Sequence, residues 1–392
     1  MTTLQSATAH GSNAPQTEEW LAHTLRDDDA LARLADEWED LYRRCSTATA
    51  FLSRAWLQSW WHSYGRPGRL VLVLVRRAGR LVAAAPLMRG HRHGLPVLTP
   101  IGTGVSDFSD VLVDDSCAAE AARRLAHELA AQPGGHLIDL PEVPEEAAAW
   151  HLVDAWPFRT WQVPGSTCLE LPVQPIEELI GTLPTDTART RRNKRRKIEA
   201  LGVETRLIRS SRAAEAVAAL LRLHEQQWRG RGMNPEHGRA RFAAHLARAV
   251  PTMVERGQAL LVEYRLDGEP VAVDLLVVGP SMVCAYLYGF CPDLRRRIDV
   301  TQLLLGSNLD LAQRLGRPTL SLLRGDEPYK RRWRPRETRN QRVLLAGPGN
   351  LPAPFYAAGL RGRHRLVRVV KTRLPLLRDV VRRVKTCRVF SM

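Results

Sequence analysis

The sequence predicts an α/β protein of two consecutive domains, each a mixed, mostly antiparallel sheet flanked by helices. Three observations lead there. The 392 residues exceed the roughly 250–300 at which a single core stops growing. Hydrophobic residues make up 44% and charged residues 25%, enough apolar material for two ordinary globular cores. The order of helix and strand patterns in the first half also returns in the second, the mark of a duplicated fold.

Residues 1–16 read as a polar tail without the basic start or apolar run of a signal peptide. No run of about 18 apolar residues appears that could span a bilayer, so a cytoplasmic protein is expected. A helix follows over 29–42, with Leu31, Leu34, Trp38 and Leu41 at spacings of three and four. Trp56, Trp60 and Trp61 share a second short helix as a core stripe. Strands at 69–77 and 80–90 form a hairpin around Ala78-Gly79. The segment 97–113 reads strand, Gly-rich bend, strand; helix 118–131, strand 136–143, another helix and a strand near 167–171 end the first domain, 17–172.

The second domain, 173–348, opens with a helix over 176–201 and a short strand, then helices at 212–228 and 238–256. Strands 258–266 and 269–278 flank Asp267-Gly268, the strongest short hairpin signal. Strand 282–290, helix 300–315 and strand 319–325 complete the unit. Residues 349–392 form a basic tail. From 361 onward eleven Lys and Arg face one acid, Asp379, and apolar residues recur at helical spacing with a kink at Pro375. Such a helix suits an anionic membrane surface.

Charge narrows the partners. Fifty-seven Lys and Arg against 41 Asp and Glu give +16, a field that concentrates nucleic acid, acidic lipid or phosphate-bearing small molecules. The six cysteines include no C-x-x-C pair and no zinc-ligand spacing, so reduced thiols and no metal are expected. There is no Walker loop, no G-x-S-x-G elbow and no H-E-x-x-H. His224 reads as a packed helical histidine.

Three segments carry a resemblance. IGTGVSDFSDVLV holds a Gly-x-Gly-x-x-Asp-x-x-Asp element, ARTRRNKRRKIEALGV is a basic helix, and RGDEPYKRRWRP follows the last long strand. Together they resemble CelD-like (BcsL-type) GNAT acetyltransferases, associated with bacterial exopolysaccharide and envelope synthesis, and more distantly the Fem-type peptidyltransferases that use aminoacyl-tRNA. The resemblance covers about residues 30–345 and implies tandem GNAT-like domains. It further implies acetyl-CoA or another acyl-CoA as donor, and a small-molecule, lipid- or nucleotide-linked acceptor. The basic charge keeps tRNA open as donor, and where the family often has a glycine bend before the 300–315 helix this chain reads RRRIDVTQ, a departure that counts against acetyl-CoA and toward a non-catalytic role.

Acyl transfer needs a base, an oxyanion stabiliser and an anchor for the donor's phosphates. Lys330 is the first candidate, as a point charge within 325–333; the Fem-type resemblance points to the same position. Asp326, Tyr329 and Arg331 share its segment as substrate contacts, and Trp333 reads as a packing anchor. Asp107, on the Gly-rich loop, is a candidate base, whereas Asp110 reads as structural. Asp274 interrupts an apolar strand and is either on its exposed face or a buried base with a raised pKa. Tyr286 and Tyr288 alternate on one face of the next strand with Cys284, one of them as proton donor, beside a V-shaped split expected between strands 269–278 and 282–290. Arg192, Lys194 and Arg195 in the basic helix are phosphate contacts. A non-catalytic basic subunit of a membrane-bound complex remains the alternative to both enzyme readings.

Overall fold

The computed structural model describes residues 19–133, 136–230 and 232–373. Within them thirteen strands build one sheet. The first half supplies β1 (Trp20–Leu25), β2 (Leu70–Arg77), β3 (Arg80–Arg92), β4 (Leu95–Pro100), β5 (Leu112–Val113), β6 (Leu137–Val143) and β7 (Thr160–Pro172). The second supplies β8 (Glu204–Leu207), β9 (Ala259–Leu266), β10 (Glu269–Val278), β11 (Met282–Phe290), β12 (Thr319–Arg324) and β13 (Arg336–Ala346). The spatial order is β1-β2-β3-β4-β6-β13-β7-β12-β11-β10-β9-β8, with β5 beside β3.

The duplication is visible in that order. Each half lays down four antiparallel neighbours and then, after a helix, a parallel fifth: β4 beside β6 and β11 beside β12. A parallel step requires a crossover connection, which the helices Ala118–Ala130 and Val300–Arg314 supply. The last strand of each half then docks on the other. Strand β13 pairs with β6, β7 pairs with β12, and β7 and β13 pair with each other. The halves are thus joined through backbone hydrogen bonds.

The hairpin turns behave as their residues demand. Ala78-Gly79 and Asp267-Gly268 all take positive φ, between 49° and 81°, the geometry of a type I′ turn whose twist matches the strands it joins. Strand β2 is buried over LVLVLV, so no alternation marks it. Helix Arg54–Tyr64 begins at Ser53, whose hydroxyl accepts from Trp56 N, and buries Trp56, Trp60 and Trp61, as the tryptophan stripe predicts. Trp56 meets His245 and Tyr286 of the second half edge-on, at 4.4 and 5.2 Å between ring centres.

Some boundaries differ from the pattern. The 29–42 helix breaks at Leu34 into Ala30–Arg33 and Ala35–Arg44. The 176–201 helix breaks into Ile176–Gly181 and Thr185–Leu201 at Pro184, which cannot donate its N–H to a continuing helix. Strands β1 and β13 had no separate signal. The tail is helical from Ala353 to Arg373; the membrane-surface expectation for 374–392, including the Pro375 kink, lies outside the described residues. No helix among the described residues is long and apolar enough to cross a membrane.

Candidate active site

Strands β11 and β12 pair for only three residues, Met282–Cys284 opposite Thr319–Ser321. Beyond them β12 bends toward β7, and Leu323 adopts φ +58° at the departure. A cavity of about 150 Å³ opens between the diverging strands, over helix Val300–Arg314. The V-shaped split is therefore between β11 and β12. The expected place, between β10 and β11, is closed: those strands pair from Ala272 opposite Phe290 to Val278 opposite Val283.

Tyr286 and Tyr288 both line the cavity, and a bulge separates their other contacts. The register passes from Leu275–Leu287 to Leu276–Ala285, leaving Tyr286 as one extra residue in β11. Tyr286 packs with the core shared by both halves, Tyr288 with the core of the second half. They do not lie on one face, as simple alternation implied. The Tyr286 hydroxyl donates to Val105 O at 2.9 Å, which ties β11 to the Gly-rich loop. The Tyr288 hydroxyl bonds with Tyr329 and Gln227, and burial pushes its pKa up, so it stays protonated at neutral pH.

Asp274 lies opposite Tyr288 and is buried, with 1% of its surface exposed. This corrects the exposed-face alternative. Its Oδ2 accepts from Asn308 Nδ2 at 2.9 Å, and its Oδ1 has no hydrogen-bond partner. Burial pushes the carboxyl up to about 7 against the opposing pull of hydrogen bonds from Asn308 and the Leu275 N–H. A buried oxygen without a partner, on a cavity wall, is where a ligand's N–H or O–H belongs.

Pro328 starts a one-turn helix, Pro328–Arg331. The turn sends Tyr329 and Lys330 to the cavity. Lys330 is 7% exposed; its Nζ donates to Arg324 O at 3.0 Å and pairs with Glu327 at 2.9 Å. An ammonium has three donors, so one N–H remains for a substrate oxygen. Trp333 is buried beneath the turn with the Arg191 guanidinium 5.0 Å over its ring. Asp326 and Arg331 go the other way: they pair with each other at 3.3 Å on the surface, and Arg331 also with Glu337. Neither lines the cavity: Asp326 precedes the helical turn, and Arg331, two residues after Tyr329, points from its opposite side.

Asp107 lines the cavity, but its carboxylate is paired with Arg324 Nε. That ion pair ties Asp107 to Arg324 and holds the Gly-rich loop against β12. Asp110 accepts from Val111, Ala148 and Ala149 N–H at 2.7–3.0 Å, a structural role as its loop position suggested.

A larger cleft of about 650 Å³ adjoins the cavity; both are lined by Tyr288, Thr301 and Tyr329. Six cations line it: Lys194, Lys197, Arg295, Arg296, Arg297 and Arg332. Of the basic helix Thr185–Leu201, Lys194 and Lys197 face this cleft. Arg192 reaches Glu177 at 3.5 Å, and Arg195 reaches Glu177 and Glu199 at 2.6 and 2.7 Å, so neither meets the cleft. Asp299 caps helix Val300–Arg314 and binds Lys194 at 2.7 Å and Arg191 at 3.1 Å. Burial alone raises its carboxyl, but the Lys194 and Thr301 hydrogen bonds and the nearby cations outweigh it, down to about 2. The helix N-terminus is thus occupied by its own carboxylate.

Sequence reasoning missed Asn308 and the arginine run. Thr301, Leu304, Leu305 and Asn308 all line the cavity, an i, i+3, i+4, i+7 stripe in which an asparagine one turn past two leucines is the available signal. In the sequence, Arg295–Arg297 stand out only for the glycine bend they replace.

The sequence pattern of the acetyltransferase (GNAT) domain matches residues 12–137 and 185–331. No curated protein matches the chain at a significant level. Among solved structures, the chain is similar in fold to FemX (12% identity, 82% of this chain and 97% of that one, TM-score 0.60). It is similar also to L-PGS from Bacillus licheniformis (11% identity, 86% and 98% covered, TM-score 0.53). A third is the C-terminal domain ascribed to a lysylphosphatidylglycerol synthetase of Agrobacterium fabrum (12% identity, 87% and 98% covered, TM-score 0.53).

Proposed function

The chain belongs to the acetyltransferase (GNAT) domain family, and from that premise we propose that it transfers an acyl group from acyl-CoA to an amine or hydroxyl in the cleft between β11 and β12. The observation that carries this reading is the continuity of the cleft. A polycationic mouth leads past Tyr288 and Tyr329 to a buried carboxyl with a free oxygen and a lysine with a free N–H.

The mouth fits the donor's phosphates through Lys197, Arg295, Arg297 and Arg332, which make no ion pair among the described residues. Side-chain cations here take the place of the backbone N–H groups that a glycine bend presents. Bound acyl-CoA supplies a thioester carbonyl activated for attack. Asp274, with its carboxyl near 7, accepts the proton of the attacking amine or hydroxyl through Oδ1. Lys330 faces the oxygen on which negative charge grows. Tyr288, kept protonated by burial, returns a proton to the leaving group. The net charge of +16 favours an anionic acceptor, of the kind found in envelope, polysaccharide or secondary-metabolite precursors.

Asp299 favours a second reading. It caps the helix at the mouth, so that terminus has less to offer a compact pyrophosphate, and the broad basic mouth suits a polynucleotide such as aminoacyl-tRNA. Calorimetry with coenzyme A decides between them. Binding that is weakened by Arg295→Gln supports acyl-CoA; no binding, together with RNase-sensitive tRNA in the purified protein, supports the second donor. Absence of both removes the acyltransferase reading.

A further inference from the structure

A separate cavity of about 260 Å³ lies in the first half, on β3 and β4 beneath the helix Arg54–Tyr64. Its lining includes Arg66, Arg69, Arg89 and Arg92, with Trp60 and Tyr64, and no carboxylate. A fifth arginine, Arg241, is satisfied by Glu236 at 2.6 Å. Arg69, Arg89 and Arg92 make no ion pair among the described residues. Like charges gathered on one wall repel unless an anion joins them. The crowding already shows in the neighbours: burial, and then the Arg89 charge, pull the pKa values of Arg26 and His136 down.

Two buried donors in this wall lack acceptors. Trp60 is 2% exposed, and its indole Nε1–H has no partner; neither has Arg89 Nε. Orphaned buried N–H groups are rare in folded proteins, and here they accompany unpaired guanidinium groups. Met88 and Val97 supply an apolar side, with Trp60 and Tyr64 stacked on each other at 5.3 Å in the wall. At about 260 Å³ the space falls just under the roughly 300 Å³ at which drug-sized pockets begin, so it holds a compact moiety. Thr103 lines this cavity and Asp107, four residues on, lines the catalytic cleft, so one loop borders both.

We propose that this cavity is a second binding site, independent of the acyl-donor cleft, for a small organic phosphate that sets its phosphate groups on Arg69, Arg89 and Arg92 and its organic part against Met88 and Val97. Planar guanidinium groups bind phosphate oxygens in pairs, and the indole N–H adds a neutral donor. The proposal does not depend on the reaction assigned to the other cleft.

The test is calorimetric titration of the full chain with uridine diphosphate and, separately, with inorganic pyrophosphate, which has the charge without the ring. Uridine diphosphate is expected to bind about tenfold or more tightly than pyrophosphate, since its uracil and ribose bury apolar surface on Met88 and Val97 that pyrophosphate lacks. Replacing Arg69→Gln with Arg92→Gln is expected to weaken it a further tenfold or more, in keeping with lost charge-assisted hydrogen bonds. Arg295→Gln in the other cleft is expected to leave it unchanged. Thermal melting verifies the fold, and Arg92→Gln alone serves if the pair is unstable. The proposal is overturned if uridine diphosphate fails to bind, if pyrophosphate binds equally well, or if binding is lost with Arg295→Gln and kept with the Arg69 and Arg92 variants.

Discussion

Replacing Asp274→Asn separates a buried titrating acid from a merely polar strand residue. The carboxyl is about 7 in the folded protein against 3.8 in the ordinary state, a difference of about 3 units. At 1.36 kcal/mol per unit this corresponds to about 4 kcal/mol at most. The sign follows from proton binding. Between pH 3.8 and 7 the folded state holds the proton and the unfolded state releases it, so this group's contribution to stability is lost as pH rises through that window. Asparagine keeps an acceptor for Asn308 and carries no charge. The variant is therefore expected to match the wild type below about pH 4 and to exceed it by up to about 4 kcal/mol above pH 8. Urea unfolding midpoints at pH 4, 6 and 8.5 measure this. In the same variant kcat/KM is expected to fall by about 10²–10⁴, the usual contribution of a general base. A stability difference that stays constant with pH would refute a titrating Asp274; full activity in the variant would refute its role as base.

Three further outcomes follow from the same geometry. Arg295→Gln combined with Arg297→Gln should raise the donor's Kd about tenfold or more, and make binding less sensitive to salt, as expected when phosphate contacts are removed; calorimetry at two ionic strengths reads both. Tyr286→Phe should cost about 1 kcal/mol of stability through the lost hydrogen bond to Val105 while kcat stays near the wild-type value. Tyr288→Phe should lower kcat and flatten the alkaline limb of its pH profile, a change that an only structural tyrosine would not cause.

Local chemistry made much of the fold legible. The hairpins at Ala78-Gly79 and Asp267-Gly268 could be read because two residues determine those turns. The tryptophan stripe at Trp56 and Trp60 declared itself as core by helical spacing. What escaped was settled by distant partners. Strand β13 docks beside β6, nearly two hundred residues away, and no local pattern encodes that pairing. The bulge at Tyr286 breaks alternation by one residue and reverses the face of everything after it. The split between β11 and β12 follows from a parallel pairing that ends after three residues, which requires knowing which strand is the neighbour. Among the site residues, Lys330 and Tyr329 were legible from their segment, whereas Asp326 and Arg331 share the segment and face away. Composition could count the cations but not pair them. Arg192 and Arg195 are satisfied by glutamates, while the neighbouring Lys194 and Lys197 face the cleft.

Acyl transfer is proposed to occur where Lys330 meets the β11–β12 cleft. It is tested most directly by trapping the acyl group with hydroxylamine as a surrogate acceptor, using acetyl-CoA and aminoacyl-tRNA in turn as donors. Wild-type protein is expected to form the hydroxamate with one of them. Lys330→Ala, verified as folded by its melting curve, is expected to lose about 10²–10³ of that rate, as when one oxyanion donor is removed. Undiminished hydroxamate formation by Lys330→Ala would contradict the account.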